Sequence, residues 1–201
     1  MENSDLRLNI VMLGDTNVGK SCLLTRFIKQ RFIEKIPFKA IEYQTIPLIS
    51  FNKVVTLQIW NFMGNKDYQK TIPSHYYSKA DGFIVVYDIT SDQSFLNART
   101  LWMSQVLKNA QYSYKVLVGN KCDLTINRSV SQLTAKQFSE IVGVENIETS
   151  AKSGMNVENL FLSLVDKITE KKLCNIGNDE TDIVQFSSDK SKLLPRQTRR
   201  L

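Results

Sequence analysis

Cysteine is scarce in this chain of 201 residues: Cys22, Cys122 and Cys174 are an odd number at unrelated spacings. They form neither a disulfide framework nor a metal-ligand pattern, which points to a reducing, intracellular setting. No apolar stretch approaches the ~20 residues that a membrane-spanning helix needs. The opening Met1-Glu2-Asn3-Ser4 has no signal-peptide character, and Glu2 stands where myristoylation requires glycine. There is one histidine, His75, beside Tyr76 and Tyr77, and a packed or surface role is expected for it rather than catalysis. The net charge of +6 is not gathered into a stripe: beyond a modest terminal cluster (Lys190, Lys192, Arg196, Arg199, Arg200) the cations are dispersed. No nucleic-acid surface is expected from such a distribution. Apolar content of 42% with 23% charged residues is that of a soluble globule. The length suits one α/β domain of roughly 170 residues plus a tail.

What is present is a regular alternation of strand-like and helix-like segments. Leu8–Leu13 is an apolar run of strand length, and Lys20–Gln30 places Leu23, Leu24, Phe27 and Ile28 at helical spacing. Gln44–Phe51 and Val54–Trp60 read as a hairpin turning at Asn52-Lys53, with Pro47 marking an edge strand. Gly82–Tyr87 and Lys115–Val118 are apolar on both faces, as buried parallel strands are. Between them a helix carries Phe95, Leu101, Trp102 and Val106 on its core side. Ser131 caps a further helix bearing Leu133, Phe138 and Ile141. A last strand, Asn146–Thr149, precedes a helix with Val157, Leu160, Phe161, Leu164, Val165 and Ile168 at core spacing. Beyond about Leu173 the pattern gives way to Asn, Asp, Ser, Lys and Gln, predicting a globule over 1–172 and a disordered tail over 173–201. The predicted fold is a doubly wound α/β sheet with ligand loops at the strand C-termini.

Gly14-Asp15-Thr16-Asn17-Val18-Gly19-Lys20-Ser21 fits G-x-x-x-x-G-K-[ST] at every fixed position, between a strand and a helix. A loop of this kind turns successive backbone N–H groups inward, and the helix that follows, entered through Cys22, adds its positive dipole end. Lys20 would reach the β- and γ-phosphates and the Ser21 hydroxyl would bind Mg²⁺.

Asn120-Lys121-Cys122-Asp123 ends a buried strand. An Asp in that place accepts from guanine's ring N1–H and exocyclic amine; adenine offers no such donor pair and would leave the carboxylate unpaired. Asn120 can meet the other edge of the base and tie this loop to the phosphate loop, while Lys121 lays its stem along the ring. Ser150-Ala151-Lys152 follows another strand, and the Ala151 N–H can meet guanine O6. Phe32 is placed to pack against the ring. GTP and GDP are the expected ligands, and an ATP-dependent kinase is disfavoured by Asn120 and Asp123.

With these motifs, and with Leu57-Gln58-Ile59-Trp60, Tyr76-Tyr77-Ser78-Lys79-Ala80 and Val86-Tyr87-Asp88-Ile89-Thr90, the chain resembles the Ras superfamily of small GTPases, most closely the Rab family, over about residues 6–170. The resemblance implies a P-loop GTPase fold with a six-stranded, mostly parallel sheet and five helices. It also implies GTP/GDP as ligands, Mg²⁺ as cofactor and a role in vesicle traffic. Effectors and regulators would read switch regions 36–45 and 61–77.

The chain departs from the family in three places that serve hydrolysis. No hydroxyl occurs in Pro37-Phe38-Lys39-Ala40, where the family has a switch threonine, and Thr45 lies too far along. The Asp-x-x-Gly motif reads Asn61-Phe62-Met63-Gly64, so an amide replaces the carboxylate that holds the metal's water shell; Gly64 can still offer its N–H to a γ-phosphate. Asn65 stands in place of the glutamine that orients the attacking water, one methylene shorter. Phosphoryl transfer is largely positioning, and a 1 Å deficit costs about a hundredfold. Weak hydrolysis is expected unless other residues compensate. Asn17 replaces a frequent glycine and tolerates a left-handed backbone. Phe62 and Met63 fit either an altered effector surface or ordinary packing.

The chain ends Pro195-Arg196-Gln197-Thr198-Arg199-Arg200-Leu201 without a prenylation cysteine, so no stable membrane anchor is expected; Leu193, Leu194 and the basic residues give at most a weak, screened lipid contact. A cytoplasmic monomer, transiently on endomembranes, is the expected form. Two functions remain open: a cycling regulatory GTPase, and a nucleotide-bound scaffold recruiting partners through its switch surface.

Overall fold

A computed structural model describes residues 6–34, 36, 41–62, 64, 72–179 and 199–200. Six strands, β1 (Leu6–Leu13), β2 (Ile41–Ser50), β3 (Lys53–Phe62), β4 (Gly82–Asp88), β5 (Tyr114–Asn120) and β6 (Glu145–Glu148), form one sheet, extended by a two-residue strand β7 (Arg199–Arg200). The order is β6-β5-β4-β1-β3-β2-β7. All pairings from β6 to β3 are parallel, and β2 runs antiparallel to β3. Among the described residues five longer helical segments accompany it, α1 (Lys20–Lys29), α2 (Ser74–Lys79), α3 (92–109, with a π-helical stretch Ala98–Met103), α4 (Gln132–Val142) and α5 (Val157–Asp179), with a single 3-10 turn at Thr125–Asn127. This is the predicted P-loop fold.

Strand periodicity sorts the core into two layers. On β1, Leu8, Ile10 and Met12 face one side and Val11 and Leu13 the other; on β4, Ile84 and Val86 oppose Phe83, Val85 and Tyr87. The first layer is covered by α1 and α5, whose Phe27 and Phe161 rings stack at 4.2 Å. The second packs on α3 through Phe95, Trp102, Met103 and Val106. Each buried aliphatic or aromatic side chain contributes about 1.5–3 kcal/mol relative to exposure, so the sheet is held from both faces. Parallel strands running in one direction bring the loops after β1, β3, β4, β5 and β6 to one end of the sheet.

Several boundaries differ from expectation. The β2–β3 turn is Phe51-Asn52 (φ 50° and 60°), one residue earlier than predicted, with Ser50 opposite Lys53. Two consecutive positive φ angles make the tight turn that matches strand twist, and Asn52 suits it. Ser131 caps α4 as predicted, accepting from the Thr134 N–H at 3.0 Å. The buried face of α4 is Ala135, Ser139 and the half-buried Phe138, however; Leu133 and Ile141 are exposed. Helix α5 continues to Asp179 rather than ending near Leu173. Pro47 lies on the outer strand, beyond which β7 pairs at Leu48 and Ile49. Among the described residues, no helix is long and apolar enough to cross a membrane.

Candidate functional site

The loop 14–19 is shaped by positions that only particular residues tolerate. Gly14 adopts φ +137°, and a Cβ there would lie 2.1 Å from the Val86 carbonyl oxygen. Gly19 adopts φ +96°, and its Cβ would strike the Asn120 amide at 2.2 Å. Asn17 takes φ 66°, the left-handed backbone expected of it. The buried Lys20 ammonium donates to the carbonyls of Gly14 (2.8 Å) and Asp15 (2.7 Å). Burial pulls its pKa down to about 7, partly offset by the Asp15 charge. Cys22 turns its thiol away, toward the Ile33 carbonyl at 3.9 Å, so any part it plays in the loop falls to its backbone.

Asn120 joins three loops. Buried to 1% exposure, it donates through Nδ2 to the Val18 carbonyl (2.8 Å) and accepts through Oδ1 from the Ala151 N–H (3.2 Å). Asp123 is oriented by Ser150, whose hydroxyl donates to Oδ1 at 2.5 Å. Lys121 holds a left-handed φ of 65° and pairs with Asp88 at 2.5 Å. Lys152 and Ala151 are pinned by Arg26 of α1, which donates to both carbonyls. Phe32 stands in the loop after α1 with 37% of its surface exposed.

The sequence carried no signal for some of these contacts. Arg26 is one; the pair Trp102 and Asn97, which donate to the two Asp15 oxygens at 2.8 and 2.5 Å, is another. Both depend on pairings distant in the chain.

Near Ser21 the arrangement departs from a carboxylate-based metal site. Asn61 Nδ2 donates to Ser21 Oγ (2.8 Å) and to Glu42 Oε2 (3.0 Å), while Asn61 Oδ1 is buried without a partner among the described residues. Gly64 packs on the loop with its carbonyl accepting from the Thr16 N–H at 3.0 Å. Among the described residues no three His, Cys, Asp or Glu side chains converge to hold a metal. A cation here would therefore take oxygen from Ser21 and a phosphate and keep much of its water, as Mg²⁺ does. The unpaired Asn61 oxygen fits that arrangement as an acceptor for a metal-bound water. Phe38, Lys39, Met63 and Asn65 lie outside the described residues. Thr45 lies in β2, as expected, with its hydroxyl on the Tyr43 phenol at 3.0 Å. Phe62 is buried edge-on against Tyr76 at 4.8 Å, the packing alternative of the two foreseen for it. His75 is exposed, its ring tilted against Tyr76 at 4.2 Å.

Residues 9–170 match the sequence profile of the Ras family. The Ras-related protein RABD2a of Arabidopsis thaliana is 38% identical over 169 residues, covering 83% of this chain and 82% of that protein. The Ras-related protein RIC1 of Oryza sativa subsp. japonica is 37% identical over 169 residues, 83% of each chain.

Proposed function

The chain belongs to the Ras family of small GTPases, and we propose that it is a Rab-like guanine-nucleotide switch of vesicle traffic in which GTP hydrolysis is impaired. The observation that carries the second half is the 2.8 Å bond from the Asn61 amine to Ser21 Oγ. A carboxylate at that position would accept from the hydroxyl and from metal-bound water; the amide places a donor on Ser21 instead.

Guanine binding rests on the meeting of loops at Asn120 and on Asp123, whose Oδ1 is held by Ser150 so that the carboxylate is set for the base's N1–H and amine. Lys20 and the N–H groups of 17–21 would bind the phosphates. Mg²⁺, when bound, would supply positive charge against the phosphates. Ser21 would hold it, Asn61 and Asn65 would orient water poorly, and turnover would be slow for want of positioning. Partners would read the aromatic surface of the two switches, where Tyr43 and Trp60 (4.4 Å) and Trp60 and Tyr76 (5.1 Å) form a contiguous row. The globule, with helix α5 carried on to Asp179, would act as a cytoplasmic monomer.

The test is to identify the nucleotide carried through purification and then to measure single-turnover GTP hydrolysis with and without Mg²⁺. Slow turnover, raised by Asn61→Asp with Asn65→Gln, is the expected result; turnover like that of ordinary small GTPases overturns impairment. Equal competition by ATP overturns the guanine assignment. The Gly64 carbonyl on Thr16 favours a second function, a scaffold that holds one nucleotide statically. Complete absence of turnover with retention of the bound nucleotide distinguishes it.

A further inference from the structure

We propose that Glu42 supplies the carboxylate of a divalent-cation site built on Ser21 and Asn61, so that the negative charge absent from β3 is carried by the neighbouring strand. The inference rests on nucleotide binding by the 14–21 loop, proposed above. Glu42 and Asn61 are direct partners in the antiparallel β2–β3 ladder, so both side chains leave the same face of the sheet. Glu42 Oε2 accepts from Asn61 Nδ2 at 3.0 Å, and the same amine reaches Ser21 Oγ at 2.8 Å. Carboxylate, amide and hydroxyl thus run in series from strand to helix.

A second, independent feature points to a ligand. Asn61 is 4% exposed, and its Oδ1 is buried with no hydrogen-bond partner among the described residues. A buried acceptor with nothing to accept from is satisfied when a hydrated cation brings water to it. Two carboxylates facing each other across a ladder repel. An amide at 61 opposite a glutamate at 42 keeps one charge in the pair and moves it by one strand.

The probe is Mn²⁺, titrated by electron paramagnetic resonance into the GDP complex of the full chain, beside GDP affinity measured in EDTA. Glu42→Gln keeps an acceptor for the Asn61 amine and removes the charge. The expected result is about 10- to 100-fold weaker Mn²⁺ binding, the usual cost of disturbing a metal's outer shell. GDP affinity in EDTA and the unfolding midpoint should stay unchanged, and adding Asn61→Asp to Glu42→Gln should restore the metal. Mn²⁺ affinity within twofold of the unmodified protein overturns the proposal while leaving nucleotide binding intact. Failure of GDP to bind with or without metal removes both. Should Glu42→Gln not fold, Asn61→Asp alone decides: with Glu42 already supplying the charge, Mn²⁺ affinity rises less than threefold, and a rise beyond tenfold overturns the assignment.

Discussion

Trp102 donates its indole N–H to Asp15 Oδ1 at 2.8 Å, so helix α3, on the face of the sheet opposite α1, holds the phosphate loop from behind. Asn97, five residues earlier on the same helix, donates to the other carboxylate oxygen at 2.5 Å. The Asp15 carbonyl in turn receives the Lys20 ammonium. The loop is therefore braced through side chains as well as by its glycines. Trp102→Phe keeps the ring in the core and removes one charge-assisted bond, which should cost about 1.5–3 kcal/mol in denaturant unfolding. The cost should shrink in an Asp15→Ala background, because the partner is already gone; equal costs in both backgrounds would show that packing, not the bond, is lost.

Base selectivity should pass through Ser150 as well as Asp123. The Ser150 hydroxyl fixes Asp123 Oδ1 at 2.5 Å and also accepts from the Ser153 N–H at 3.0 Å. Asp123→Ala removes the acceptor for guanine's amino edge and should weaken GDP binding by roughly ten- to a hundredfold, the worth of a hydrogen bond to a charged group. Ser150→Ala leaves the carboxylate in place but unanchored, and a smaller loss is expected. Calorimetric titration of GDP and ADP against both variants checks the order; a larger loss for Ser150→Ala than for Asp123→Ala would contradict it.

Gly64 admits no side chain where it lies. A Cβ would sit 2.0 Å from the Asp15 carbonyl carbon and 2.3 Å from the Thr16 nitrogen, both backbone atoms without freedom to withdraw. Gly64→Ala should lift this part of the chain from the phosphate loop and release the Thr16 N–H. A loss of about 1–3 kcal/mol is expected for the nucleotide-free protein. Thermal unfolding without nucleotide measures it, and an unchanged midpoint would show that the contact contributes nothing.

How far such contacts can be foreseen depends on what enforces them. Gly14 and Gly19 were legible because their spacing serves a backbone shape that few residues allow, and the structure gives them the positive φ angles and close approaches that explain it; Lys20 was legible from its fixed place after Gly19, and its ammonium lies on the loop carbonyls of Gly14 and Asp15. Asn120 and Asp123 were legible because they stand at the end of and just after one strand, β5, whose apolar pattern is unmistakable. The Glu42–Asn61 partnership was not. It depends on the β2–β3 register, which is set by a two-residue turn at Phe51-Asn52. Placing the turn one residue later, as the sequence suggested, would pair Asn61 with Gln44 and leave Glu42 elsewhere. The solvent-facing Leu133 and Ile141 were misplaced for a related reason: helical spacing identifies a stripe, and on α4 the small residues Ala135 and Ser139 are the ones in contact.

Nucleotide binding should take up a proton at alkaline pH. Burial lowers the Lys20 pKa to about 7 from an ordinary 10.5, against a smaller opposing effect of Asp15. Below about pH 7 the amine is charged in both folded and unfolded chains, and the folded protein bears the full burial penalty. Between pH 7 and the ordinary lysine value only the unfolded chain stays protonated, so stability of the nucleotide-free protein rises with pH across that window. Phosphates favour the ammonium and should return its pKa toward the ordinary value. Binding GDP at pH 8.5, above the last phosphate ionisation near pH ~6, should therefore absorb nearly one proton, and affinity should fall by up to about tenfold per pH unit above 7. Calorimetry in two buffers of different ionisation enthalpy counts that proton. Lys20→Arg, permanently charged, should absorb none, and an equal uptake by this variant would assign the proton to another group.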